Sequence, residues 1–174
     1  MRTYLLGLIV LMTLSSCKEQ ANVTTVLLNN KEYTFIINNN NTIEKYFNVI
    51  NTETEYGQLS SEAKINISIT GSENKIRIIK GEFKTKEDAI KREKYINSST
   101  SLKKPIIVKN KILGKVLIND IGKEQGCSNY YAFRTVSNII YIFSLDLYSN
   151  SITDNELNTF ITIIKSFNEK EVKQ

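Results

Sequence analysis

The side chains that could do chemistry in this chain are two cysteines and a scatter of carboxylates, because its 174 residues include no histidine. Without an imidazole, neither a Ser-His-Asp nor a Cys-His arrangement can form, and the commonest metal ligand is missing. Cys127 has no histidine to activate its thiol, so we expect a small packed residue at a strand entrance rather than a redox or nucleophilic cysteine. The chain also lacks a phosphate loop, zinc-ligand spacing and a dinucleotide fingerprint. The sequence therefore predicts no catalytic residue, no metal site and no cofactor.

Paired carboxylates offer a histidine-free route to hydrolysis. Asp120 and Glu124 share the stretch 119–128 with two glycines, and Asp146 follows on the polar face of a later strand. Their spacing does not match an EF-hand, so we expect an ordinary solvated turn. A histidine-free envelope hydrolase, or a ligand-binding lipoprotein that uses this loop and Asp146, stays open as the alternative function.

The N-terminal segment has the form of an export signal. Arg2 precedes an apolar run, Leu5–Leu11, which is too short to cross a membrane but fits the hydrophobic region of a secretory signal. Leu14-Ser15-Ser16-Cys17 follows, and the next three residues are polar. This order resembles the lipobox of bacterial lipoproteins. The resemblance implies a signal peptide over residues 1–16, acylation of Cys17 and a mature chain that begins at that cysteine.

Acylation determines where the protein is expected to act. One acyl chain binds a bilayer marginally, whereas the two or more chains that the resemblance implies anchor a protein stably. We therefore expect a cell-envelope protein held on a membrane by its N-terminal lipid, with 17–22 as tether, 23–168 as domain and 169–174 as polar tail. Lys18 is not the aspartate that marks inner-membrane retention in many Gram-negative species, which favours the outer membrane.

Positive charge is concentrated in the middle of the chain. Residues 75–115 hold thirteen Lys and Arg against four Asp and Glu, whereas the rest of the mature chain is net acidic. A basic face could bind an acidic protein partner, and the exported location argues against nucleic acid. The alternative is a solvated lysine-rich face that reflects the codons of an AT-rich genome. The candidate partner-binding residues are Lys84, Lys86, Lys91, Arg92 and Lys94.

Hydrophobic periodicity and turn residues predict four strand pairs and three helices. The helices are expected to begin after Thr42, Thr85 and Thr153. The first is predicted from apolar residues at i, i+3, i+4 and i+7, which are Ile43, Tyr46, Phe47 and Ile50. This order predicts a single α+β domain: an antiparallel sheet of about six to eight strands with helices packed on it, including a C-terminal amphipathic helix. The strand pairs are Val23–Leu28 with Glu32–Ile37, Lys64–Thr70 with Lys75–Lys80, Ile106–Val108 with Ile112–Ile118, and Tyr130–Val136 with Ile139–Leu147.

The last strand and the last helix have the clearest patterns. Ile139–Leu147 is apolar on one face throughout and on the other face for half its length, which predicts a strand in the middle of a covered sheet. Thr153 stands three residues before Glu156, the spacing of a capping box.

Three segments carry a second resemblance: Tyr130-Tyr131-Ala132-Phe133, Ile140-Tyr141-Ile142-Phe143 and Ile163-Ile164-Lys165-Ser166-Phe167. They are similar to the end of PsbP-like and DcrB-like domains, where a hairpin with an aromatic second strand leads into a final helix. The resemblance covers residues 130–167 and implies mostly non-enzymatic envelope lipoproteins, assembly factors and binding modules. It implies no catalytic residues.

The expected function is that of a non-catalytic, lipid-anchored protein-binding module in the cell envelope. Two versions stay open. One is an immunity-type lipoprotein that holds a toxin delivered to the periplasm, and the other is an envelope assembly or maintenance factor.

Replacement of Cys17 by alanine tests the anchor. Because the thiol is the acceptor of the lipid, the variant should leave unprocessed or soluble protein and should lose incorporation of a clickable fatty acid. The measurement is gel fluorescence of labelled cells beside the parent chain. Labelling that persists in Cys17→Ala would contradict the anchor.

Overall fold

The computed structural model of the chain describes residues 21–38, 41–99, 105–120, 128–148 and 151–172. Within these ranges the chain forms ten strands and two helices. In chain order they are β1 (Ala21–Leu28), β2 (Lys31–Asn38), β3 (Thr42–Thr54), β4 (Gly57–Ser68), β5 (Lys75–Phe83), α1 (Lys86–Ser99), β6 (Ile106–Asn110), β7 (Gly114–Asp120), β8 (Ser128–Val136), β9 (Ile139–Asp146), α2 (Asp154–Ser166) and β10 (Asn168–Glu171).

The strands form two antiparallel sheets. The smaller sheet has the order β1-β2-β10, and the larger has the order β3-β4-β5-β9-β8-β7-β6. The smaller sheet and α2 pack on one face of the larger sheet, whereas α1 packs on the other face, over β5, β8 and β9. The chain is thus a mostly antiparallel β-sheet protein with two helices, in keeping with the α+β class. The expectation of one sheet with six to eight strands is corrected to ten described strands in two sheets.

Strand β9 is the middle strand of the larger sheet, as its residue pattern predicts. Tyr141, Phe143 and Leu145 face the smaller sheet and α2, and all three are buried. Ile140 and Ile142 are buried on the opposite face, beneath α1. Full burial of a large apolar side chain contributes roughly 1.5–3 kcal/mol. Strand β9 therefore contributes to both hydrophobic clusters and joins them.

A two-residue turn connects β1 to β2 and confirms the first predicted hairpin. Asn29 and Asn30 have φ values of 47° and 57°, as a type I′ turn requires. Asparagine tolerates this left-handed conformation better than most residues with a side chain. Successive side chains of β1 point to opposite faces of the smaller sheet. Val26 is therefore buried, whereas Val23 and Leu27 are exposed on the outer face.

The first predicted helix is wrong, because Thr42–Thr54 is the edge strand β3. Ile43 and Phe47 lie opposite apolar residues of β4 in an antiparallel register. Positions i and i+4 share a face in a strand as well as in a helix, so these two residues fit either pattern. Ile50 completes the helical pattern only by coincidence, since it lies at a register shift beside Asn51, whose φ is 43°.

Helix α2 begins after Thr153, and the predicted capping box is confirmed. The Thr153 N–H donates to Glu156 Oε2 at 2.6 Å, and the Glu156 N–H donates to the Thr153 hydroxyl at 3.3 Å. Glu156 also accepts hydrogen bonds from the Ser72 hydroxyl and from the Asn74 amide, the latter at 3.0 Å. Burial raises the pKa of Glu156, but these hydrogen bonds outweigh burial and hold that pKa below its usual value.

Strand β10 lies where the sequence predicts a domain end and a polar tail over 169–174. It pairs with β2, and Glu169 reaches between the two sheets. Lys80 Nζ lies 2.7 Å from Glu169 Oε1, and the Tyr141 hydroxyl donates to Oε2 at 2.9 Å. The Lys80 and Glu169 side chains are only 8 % and 10 % exposed. The charged segment β10 therefore belongs to the folded domain, because Glu169 forms an ion pair with Lys80, which is distant in sequence.

Replacement of Glu169 by glutamine should destabilise the domain by about 3 kcal/mol, because it leaves Lys80 buried without its charge partner. Glu171→Gln is the matched control, since Glu171 is 80 % exposed and pairs with Lys31 at the surface. We expect the control to cost less than about 1 kcal/mol. Urea unfolding of the unlipidated chain from residue 18 measures both values. Equal losses in the two variants would contradict the burial of the pair.

Candidate binding cleft

Helix α1 lies across the larger sheet because β5 leads directly into it. The Asp88 N–H donates to the Thr85 hydroxyl at 3.1 Å, so Thr85 caps the first turn as the sequence predicts. Ala89 and Ile96 are buried against apolar side chains of β5, β8 and β9. Most of the other helix residues are charged, so α1 covers only part of this face of the sheet.

The turn between β3 and β4 supports the start of α1. Gly57 has a φ of 131°, and the Asp88 carboxyl group lies against it, where a Cβ atom would collide with that group. Only glycine combines this backbone conformation with so close an approach. The turn and the first part of α1 are therefore held in contact.

A cleft of about 250 Å³ lies between α1, the β3–β4 turn and the larger sheet. Gly81 lies in its lining, and a Cβ atom there would come 3.3 Å from Ile140 Cγ2 and 3.4 Å from Leu59 Cδ1. The missing side chain therefore gives the cleft some of its depth. The apolar side chains of the lining are Leu59, Ile79, Phe83, Ile140 and Ile142.

Among the described residues, Arg92 is the one cation in the lining of this cleft. Its guanidinium carbon lies 4.5 Å from the ring centre of Tyr56 and 5.7 Å from that of Tyr95. No carboxylate that the structure describes lies within 4.0 Å of the Arg92 nitrogens. Glu62 lines the same cleft from β4 without pairing with it. The aromatic rings thus hold a half-buried positive charge whose carboxylate partner is not within the described fold.

Two tyrosines in the lining are hydrogen-bond donors at neutral pH. Burial, followed by hydrogen bonds with Glu55 and Tyr95, raises the pKa of Tyr56 to about 12, against the lowering effect of Arg92. Burial also raises the pKa of Tyr131, and Arg92 is the strongest influence that lowers it. The Tyr56 hydroxyl already donates to the Glu55 carboxylate. The Arg92 guanidinium and the Tyr131 phenol therefore present the donors of the lining beside an apolar surface. Such a site fits a group that accepts hydrogen bonds and carries negative charge.

The structure separates Arg92 from the four lysines that were predicted beside it. Lys84, Lys86, Lys91 and Lys94 are exposed and do not line the cleft, and Lys91 lies 3.5 Å from Asp88. Acids alternate with the cations along α1, since Glu87, Asp88 and Glu93 share the helix with Lys86, Lys91, Arg92 and Lys94. The five residues therefore lie on one segment but not in one site.

The residues of the alternative site are only partly described. Asp146 is fully buried and forms an ion pair with Arg77 Nε. The hydrogen bond from Arg77 to Asp146 raises the pKa of Arg77. Asp120 is half-buried at the end of β7, and Glu124 lies outside the described residues. Asp146 thus has a charge partner within the larger sheet.

Two other predicted residues, Cys17 and Cys127, also lie outside the described residues. The pattern of the sequence did not predict the rest of the cleft, above all Tyr56, Leu59 and Gly81. A glycine inside an otherwise regular strand is a signal for close approach, and Gly81 is such a residue. These residues lie on different strands of the sheet, and their contacts could not be predicted from local periodicity.

Comparisons of the chain with models of protein families, with curated proteins and with solved structures find no match. Among the described helices, none is both long and apolar enough to cross a membrane. The described Asp and Glu side chains include no group of three that could hold a metal ion.

Replacement of Gly57 by alanine should displace the start of α1, because the new Cβ atom would collide with Asp88. Gly71→Ala is the matched control: its φ of 76° is also positive, but nothing lies within 4 Å of a new Cβ atom. We expect about 1–2 kcal/mol for the control from backbone strain alone, and a larger loss for Gly57→Ala. Urea unfolding and amide exchange in α1 measure the difference. The same loss in both variants would contradict the contact.

Proposed function

We propose that the chain is a lipid-anchored lipoprotein of the bacterial cell envelope that is not an enzyme and holds a protein partner in the cleft beside α1. The lipobox at residues 14–17 supports acylation of Cys17. Lys18 favours the outer membrane. The resemblance of residues 130–167 to PsbP-like and DcrB-like domains supports a binding role, and the exported location argues against nucleic acid.

The observation that carries the binding role is the state of Arg92. The Arg92 guanidinium is half-buried against two aromatic rings, and no described carboxylate lies within 4.0 Å of it, so its N–H groups can form a charge-assisted pair with a carboxylate of a partner. Arginine and tyrosine are also the residues that most often dominate the energy of protein interfaces. The partner is therefore expected to bring a carboxylate to Arg92.

The size of the cleft indicates what accompanies that carboxylate. Sites for drug-sized molecules usually enclose about 300–1,000 Å³, and this cleft has about 250 Å³. It suits one or two apolar side chains better than a whole small molecule. The proposed occupant is a segment of a partner protein in which an apolar side chain stands beside an Asp or a Glu.

The exposed lysines have a different part in this proposal. Lys84, Lys86, Lys91 and Lys94 lie outside the cleft and remain in water, where charges mainly accelerate association.

The proposal also retains the C-terminal amphipathic helix: α2 buries Phe160, Ile163 and Ile164 on the face of the larger sheet away from α1.

Arg92→Gln should weaken capture of the partner from envelope extract by about 30-fold, as loss of a central interface arginine commonly costs about 2 kcal/mol. Lys94→Gln is the matched control, because it removes the same charge from the same helix outside the cleft. It should change association mainly at low salt. Glu62→Gln should strengthen binding, since Glu62 is the one acid among the described residues of the lining. Quantitative pull-down followed by titration of the captured protein measures all three.

Three results separate the possibilities. Equal binding by the parent and Arg92→Gln would contradict the cleft as the binding site. Nanomolar binding to the product of a neighbouring toxin gene would identify the immunity-type version, and an envelope component without such a neighbour would identify the assembly or maintenance version. Hydrolase activity lost in Asp146→Asn or Glu124→Gln would overturn the non-catalytic assignment.

A further inference from the structure

The outer face of the smaller sheet lies next to the expected lipid. Strand β1 begins at Ala21, four residues after Cys17. A fully extended chain spans at most about 3.3–3.6 Å per residue, so Ala21 is within about 14 Å of the acylated cysteine. The first strand of the domain is therefore held close to the bilayer surface.

Two large apolar side chains of β1 are exposed on this face. Val23 is 69 % exposed and Leu27 is 55 % exposed, and the exposed Thr25 lies between them. On the same face, Glu32 and Lys170 lie directly opposite each other on β2 and β10, so their charges balance. This side of the smaller sheet is apolar at β1 and carries no excess charge in these residues.

The cleft lies on the opposite side of the molecule. The smaller sheet covers one face of the larger sheet, and α1 covers the other. Packed layers are about 10 Å apart, so roughly 20 Å separates the smaller sheet from α1. If the α1 side faced the bilayer, Ala21 would stand about 20 Å above it, beyond the reach of a tether of about 14 Å.

We propose that the outer face of β1, led by Val23 and Leu27, docks on the lipid bilayer and that the cleft opens away from it. This inference rests on the lipid anchor of the proposed function. Two apolar side chains alone would bind a membrane weakly, but the tether makes docking intramolecular, with a high effective concentration. The partner then meets Arg92 on the side of the protein that faces away from the membrane.

The test places a fluorophore on each side of the lipidated protein in vesicles of phosphatidylcholine and phosphatidylglycerol that carry a headgroup nitroxide quencher. A Cys127→Ser background removes the second thiol, and Thr25→Cys and Lys94→Cys provide the two labelling positions, both exposed. Quenching should be several-fold stronger at position 25 than at position 94. Equal quenching, or stronger quenching at 94, would overturn the inference.

A second arm separates docking from tether length. A flexible Gly/Ser insertion of about 20 residues after Gln20 lets the domain turn freely, so any remaining preference must come from its surface. In the chain with the insertion, quenching should still be stronger at position 25 than at position 94. This difference should disappear when Val23→Thr and Leu27→Thr are added together to that chain. The matched control combines Ile107→Thr and Leu117→Thr, which are 56 % and 38 % exposed and opposite each other on β6 and β7. Docking through β1 would be overturned if the control chain also lost the difference in quenching. It would also be overturned if the chain with Val23→Thr and Leu27→Thr kept that difference.

Vesicle flotation distinguishes failure of this inference from failure of the proposed function. Protein that does not float with vesicles lacks the anchor, which would contradict the proposed function itself. Protein that floats but shows no difference between the two labelled positions would contradict only the orientation.

Discussion

The fold depends on covering one antiparallel sheet on both faces. Strand β9 imposes this requirement, because its consecutive residues Ile140, Tyr141, Ile142 and Phe143 are all apolar and all buried. Consecutive residues of a strand point to opposite faces, so one layer cannot cover them. The smaller sheet with α2 meets the requirement on one side, and α1 meets it on the other.

Features that arise from neighbouring residues could be predicted from the sequence. The Asn29–Asn30 turn, the Thr85 cap and the Thr153–Glu156 box each depend on residues within a few positions of one another. The burial of β9 on both faces was also readable, because its pattern is long and unbroken. Strand β3 was not predicted because residues four apart share a face in a strand as well as in a helix, so Ile43 and Phe47 fit both patterns. Strand β10 was not predicted because it pairs with β2 and its Glu169 lies against Lys80, both distant in sequence.

The candidate site was predictable only in part, for the same physical reason. Arg92 was one of the predicted basic residues. Which of these residues faces the cleft depends on how α1 is oriented on the sheet, and the charge pattern of the helix does not determine that orientation. Tyr56, Gly81 and Ile140 come from distant parts of the chain and meet because β5 pairs with β4 and β9. A single sequence carries their residue types but not the pairing that brings them together.

The two faces of the larger sheet differ in how completely they are covered, and this asymmetry places the cleft of the proposed function on the α1 side. Towards the smaller sheet, the side chains of β9 are apolar along the strand. Towards α1, the apolar residues give way to Ser144 and Asp146, and Arg77 and Tyr131 lie directly opposite Ser144 on the neighbouring strands. Helix α1 is charged and covers that face only in part, so a cleft with an apolar lining, the Arg92 cation and the Tyr131 phenol lie beside it. The fully covered face holds the fold together, and the partly covered face carries the cleft in which we propose that a partner binds.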